Sequence, residues 1–145
     1  MPFDSPEAYE RLGEHLVVVD PVLDAFCRET GFSRQTPPLS RYPMRRLVLH
    51  REVSWFIDLR TDEDERGERY ETFFPDIPYT LTGGAWIDRE GRRYANVSVV
   101  AFSRLPFTLL SSRLAADLRE TWQRIREFSI DYLLARGPVE LRIGT

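Results

Sequence analysis

The chain has 145 residues with 20 basic and 23 acidic side chains, a formal net charge of −3 and a hydrophobic fraction of 42%, which fits one globular domain over residues 1–145 and excludes a disordered chain. All 20 basic residues are arginine, so lysine Schiff-base chemistry and the lysine-dependent phosphate loop are excluded. One cysteine and two histidines cannot make a four-ligand Cys/His zinc cluster, and the negative balance lacks the electrostatic footprint of a nucleic-acid binder.

No apolar run approaches the roughly 20 residues that cross a bilayer. The opening MPFDSPEAYE has neither a basic nor an apolar leader segment, so the expected location is the cytoplasm, with no membrane contact.

Ser5-Pro6-Glu7 places a cap, a proline and an acid where a helix begins, and Gly13 weakens or ends that helix. Asp20-Pro21 repeats the device. Val22, Leu23, Phe26, Cys27 and Thr30 then share one face before Gly31 stops a second helix. Residues 33–44, with Pro37, Pro38 and Pro43, read as an irregular connection.

Leu47 to Leu49 mark one strand. Val53, Trp55, Ile57 and Leu59 alternate with Ser54, Phe56, Asp58 and Arg60 to mark a second, joined to the first by a turn near Arg51 and Glu52. The nearly apolar-free run from Arg60 to Glu71 is expected to be a solvated loop or hairpin tip. It begins like a calcium loop, but Arg66 and Phe73 stand where two ligands belong, so no calcium site is expected.

Tyr79 to Asp88 and Arg92 to Phe102 form the clearest hairpin, with Gly91 able to take the positive φ of a tight turn. Gly83-Gly84 inside its first strand signals a bulge or a close backbone approach. Leu114, Leu118, Trp122, Ile125, Tyr132 and Leu133 recur at helical spacing from a cap at Ser111 or Ser112 to a stop at Gly137-Pro138, a helix of roughly 36 Å. Val139, Leu141 and Ile143 could add an edge strand.

The expected architecture is α+β: two N-terminal helices, an antiparallel sheet of four to five strands built from two hairpins, and a long C-terminal helix packed across one sheet face. Trp122 and Leu118 should meet the face carrying Trp55 and Ile57, and truncating Trp122 should cost about 3–5 kcal/mol.

Cys27 lies among Leu23 and Phe26 and reads as an inert buried thiol, although His15 or His50 could in principle serve it as a base. Asn96-Val97-Ser98 matches a glycosylation acceptor by chance. No GxSxG, HExxH, GxGxxG or CxxC motif occurs, so no cofactor, metal or catalytic residue is assigned.

Strand alternation leaves one constellation. Phe56, Asp58 and Arg60 should face away from the long helix, with Tyr94, Asn96 and Ser98 contributed by the other hairpin to the same side. Aromatic and arginine anchors among polar groups are what recognition surfaces use. The expected function is therefore a non-catalytic protein-interaction domain, an immunity- or chaperone-like binding module whose partner is another protein. The alternative is a small-molecule pocket lined by Trp55, Trp86, Tyr94 and Trp122, with or without catalysis, in which Asp58 and His50 would be the acid/base pair.

Overall fold

The computed structural model describes residues 6–35, 44–61, 78–106 and 110–139, with side chains described over 16–35, 45–59, 81–96 and 113–139. Helix α1 spans Pro6–Thr30 and strand β1 Ser33–Arg34; β2 is Met44–His50, β3 Ser54–Thr61, β4 Pro78–Arg89 and β5 Arg92–Pro106. Two helices follow, α2 over Leu110–Ile125 and α3 over Ile130–Arg136. The sheet is an antiparallel meander of order β1-β2-β3-β4-β5, so the α+β class and the two hairpins agree with the sequence reading.

The N-terminal region is one helix of 25 residues, with Pro21 inside it, and not two. Leu16, Val19, Leu23 and Phe26, each at most 4% exposed, form a continuous stripe at helical spacing across the proline. Packing of both halves on the same core outweighs the lost backbone donor of Pro21. Asp20 does not cap a new helix, because its carboxylate takes two hydrogen bonds from Arg45 of β2 at 2.8 and 3.2 Å. Arg34 of β1 lies 3.5 Å from Asp20 and bonds Asp24 at 3.0 Å, so ion pairs as well as the apolar stripe hold α1 on the sheet. The pairs of Ser33 with Val48 and Arg34 with Leu47 also make a short strand where an irregular connection is expected from the prolines.

The C-terminal helix is broken in two. The carbonyl of Ile125 accepts from the indole Nε1 of Trp55 at 3.0 Å and from the Phe128 backbone N–H at 3.1 Å, so the last turn tightens where a continuing helix would bond residue 129. Ser129 is extended (φ −87°, ψ 169°) and its hydroxyl accepts from the Tyr132 backbone N–H, which starts α3 afresh. Leu133 is buried whereas Tyr132 is 40% exposed. The Val139 backbone N–H donates to the Arg93 carbonyl at 2.9 Å, and residues 141 and 143 of the expected edge strand lie outside the described residues.

All three helices pack on one sheet face. The main core joins Leu16, Leu23 and Phe26 of α1 and Leu114, Leu118 and Ile125 of α2 to Leu47, Ile57, Leu59 and Leu81 of the sheet. Trp122 meets Trp55 edge-on at 5.2 Å, which is the facing expected of these two rings. A smaller cluster of Val53, Ala85, Ile87 and Leu133 lies beneath α3.

Glu90 (φ 53°) and Gly91 (φ 75°) make the two-residue turn between β4 and β5. Register shifts fall around Gly83 and Gly84, and strand alternation sends these glycines to opposite faces. A Cβ on Gly83 would lie 3.0 Å from methyl groups of Thr121 and Ile125, and one on Gly84 would lie 2.8 Å from the Phe56 ring and 2.4 Å from the Asn96 carbonyl oxygen. The pair thins the sheet so that α2 rests on one side and Phe56 on the other.

Candidate functional site

The outer face of the sheet, opposite the helices, carries a ladder of charged and aromatic side chains. Register pairs Arg46 with Asp58, Val48 with Phe56 and His50 with Ser54 across β2 and β3, then Phe56 with Gly84 and Ser54 with Trp86 across β3 and β4. Asp88 and Arg93 pair across β4 and β5. Alternate residues of these strands therefore share the face.

Arg46 grips Asp58 through both Nε and Nη2 at 2.7 Å, and the carboxylate is only 2% exposed. Its guanidinium carbon lies 5.1 Å from the centre of the Phe56 ring. Phe56 reaches Trp86 at 5.9 Å, and the Arg93 guanidinium lies 5.0 Å over the Trp86 ring. Arg93 in turn holds Asp88 at 2.8 and 3.1 Å. Each arginine thus combines a bidentate carboxylate bond with an aromatic contact. The bond to Asp58 holds Arg46 more firmly charged, against its burial. The bond from Arg93 pulls the Asp88 carboxyl below its ordinary range. His50 flanks the ladder, edge-on to Trp86 at 5.8 Å, with its Nδ1 3.0 Å from the Ser54 hydroxyl.

This geometry revises the expected constellation. Phe56 and Asp58 are on the outer face, but they are 6% and 2% exposed and form its buried floor. Arg60 pairs with Thr80 in the backbone, and its side chain lies outside the described residues, as do the acidic run from Asp62 to Glu71 and the side chain of Ser98. Tyr94 and Asn96 belong to the opposite, helix-bearing face. Tyr94 pairs with Ile87 and packs on the cluster beneath α3, while the Asn96 amide donates to the Tyr132 hydroxyl at 3.4 Å. Asn96 is 6% exposed, which agrees with reading its glycosylation match as chance.

The expected recognition face lacked Arg46 and Arg93, and Trp86 was expected only in the pocket. A two-residue turn at Glu90 and Gly91 sets Asp88 against Arg93 and Ile87 against Tyr94, so the turn chemistry carried the signal.

The expected pocket of Trp55, Trp86, Tyr94 and Trp122 is divided by the sheet, since Trp86 lies on the outer face and the other three on the inner. The acid/base pair is separated too. Asp58 stands opposite Arg46 and His50 opposite Ser54, four positions along the strand or about 14 Å. Among the described residues no three His, Cys, Asp or Glu side chains converge on a metal position.

Cys27 is half-buried on α1 and packs against the main core, on the other side of the sheet from His50. Burial pushes its thiol pKa up, the Asp24 carboxylate adds to this, and Arg34 and Arg28 partly oppose it. Its reaction with a disulfide reagent near neutral pH should therefore be slower than that of free cysteine and should accelerate only in more alkaline solution. The unfolded chain loses this proton first, so the contribution to stability is present at low pH and fades as pH rises through the thiol range. Rates at free-thiol level near neutrality would show that the site does not protect the thiol.

No family model, curated protein or solved structure matches the chain.

Proposed function

We propose that the chain is a non-catalytic protein-interaction domain, immunity- or chaperone-like in kind, and that it binds its partner on the outer sheet face. The observation that carries this reading is the ladder of Arg46, Phe56, Trp86 and Arg93, in which each guanidinium is already neutralised by a carboxylate. Neutralised arginines give phosphate backbones little to bind, because that affinity comes from uncompensated positive charge.

A protein surface fits better. Each arginine uses Nε and Nη2 on its carboxylate and keeps the donors of Nη1 for neutral acceptors such as backbone carbonyls. Trp86 offers a half-buried ring between them for an apolar side chain. Holding the guanidiniums in place beforehand also reduces the entropy lost on association. The partner segment implied is uncharged, with exposed carbonyls and a large apolar residue.

The test is capture of a partner from the native host by the immobilised full chain. Trp86→Ala and Arg93→Gln should each weaken capture by about 1–2 kcal/mol or more, as central anchors do; Arg93→Gln should keep a denaturation midpoint near the parent's, and Trp86→Ala, which also loses ring contacts with Phe56 and His50, is compared under conditions where it remains folded. Phe56 is unsuitable for this purpose because its burial couples it to stability. Capture at parental strength by both variants would remove the outer face from the reading.

A further inference from the structure

A separate cleft of about 430 Å³ opens in the helical layer, where the turn between β2 and β3 meets the break between α2 and α3. Its volume is within the range of small-ligand sites. The floor is Val53, Trp55, Phe128 and Ile130. Val53 is 6% exposed and part of the cluster under α3, against which the other three pack. The Trp55 N–H is already spent on the Ile125 carbonyl, so the indole offers this cleft apolar surface and no donor. The Phe128 ring is stacked on Tyr132 at 5.4 Å and 12°. A floor fixed in this way suits a flat hydrocarbon body.

The rim is charged. Arg51 and Arg126 both line the cleft. Arg126 lies over the Trp122 ring at 5.9 Å, but among the described residues neither arginine has a hydrogen bond or ion pair to a carboxylate. They differ in this from Arg46 and Arg93, whose charges are compensated. Glu52 also lines the rim. Two cations against one anion leave one positive charge beside an apolar floor, which matches a single carboxylate and disfavours a dianion or a cation.

We infer that this cleft binds a small apolar monocarboxylate, with its hydrocarbon body against Trp55 and Phe128 and its carboxylate at the arginine rim. The site shares no residue with the outer sheet face, so each reading stands or falls alone.

Titration calorimetry of the full chain with 1-naphthoate, and with 1-naphthamide as its neutral counterpart, tests the assignment. The naphthoate should bind with one-to-one saturation and at least tenfold more tightly than the amide. Arg51→Gln and Arg126→Gln should each weaken it fivefold or more, whereas Arg113→Gln, on an exposed position of α2 away from the cleft, should bind as the parent does. Equal affinity for the amide, absence of saturation at millimolar naphthoate, or parental affinity in both cleft variants would overturn the inference. Thermal melts of the two variants matching the parent's would show that weakened binding arises at the site and not from unfolding. A loss of binding that tracks a lowered melting temperature would count against it.

Discussion

Replacing Trp122 with alanine should lower stability by about 3 kcal/mol, the lower end for truncation of a buried aromatic, because this ring keeps part of its surface in solvent. The ring joins three elements. It meets Trp55 of β3 edge-on at 5.2 Å and Phe32, just after α1, at 5.0 Å and 89°. The cavity left behind would be walled by a tryptophan held through its hydrogen bond to Ile125, so the neighbours cannot easily close it. Urea denaturation monitors the effect: the midpoint should fall while the slope stays near the parent's. A parental midpoint would mean that the three elements are not joined through this ring.

Adding a single methyl group at Gly84 should cost nearly as much, about 3 kcal/mol. Its Cβ would approach the Asn96 carbonyl oxygen to 2.4 Å and the Phe56 ring to 2.8 and 2.9 Å. The carbonyl belongs to the neighbouring strand, so relief requires the sheet itself to move. At Gly83 the same methyl would meet side-chain methyls of Thr121 and Ile125 at 3.0 Å, and small rotations can relieve part of that contact. Thermal unfolding of the two variants compared directly should therefore place Gly84→Ala well below Gly83→Ala. The reverse order would mean that the helix contact, and not the strand spacing, limits this part of the sheet.

Local chemistry was the most legible part of the sequence. Gly91 marked the β4–β5 turn, the adjacent glycines marked the thin point of the sheet, and alternation from Val53 to Leu59 marked β3. Each signal acts within a few residues, where backbone sterics and side-chain period dominate. The N-terminal helix was misread where local and tertiary terms conflict. Asp20-Pro21 has the chemistry of a helix start, but Arg45 claims the aspartate from 25 positions away.

The break after Ile125 has the same origin. The indole that takes the helix carbonyl comes from residue 55, although Ser129 with Asp131 in the following turn was a local cap signal that helical periodicity concealed. The candidate face was half legible for a related reason. Alternation put Phe56 and Asp58 on one side of β3, but the side taken by the second hairpin depends on a register that a one-residue change inverts. Composition likewise showed many arginines without showing which are neutralised. That depends on cross-strand pairs such as Arg46 with Asp58.

The meander has a consequence for the order in which the chain organises itself. Every strand pairs with its neighbour in sequence, so the sheet can grow by successive closures between sequence neighbours, the tight Glu90-Gly91 hairpin being the cheapest to form. The contact of α1 with α2 is different. Its Glu29–Arg119 ion pair closes 90 residues at once, and that closure gains little until the sheet offers both helices a surface to share. The topology therefore favours a transition state in which the β3–β5 region is organised ahead of the joining of α1 to α2, so mutations between the helices should act mainly on unfolding rates.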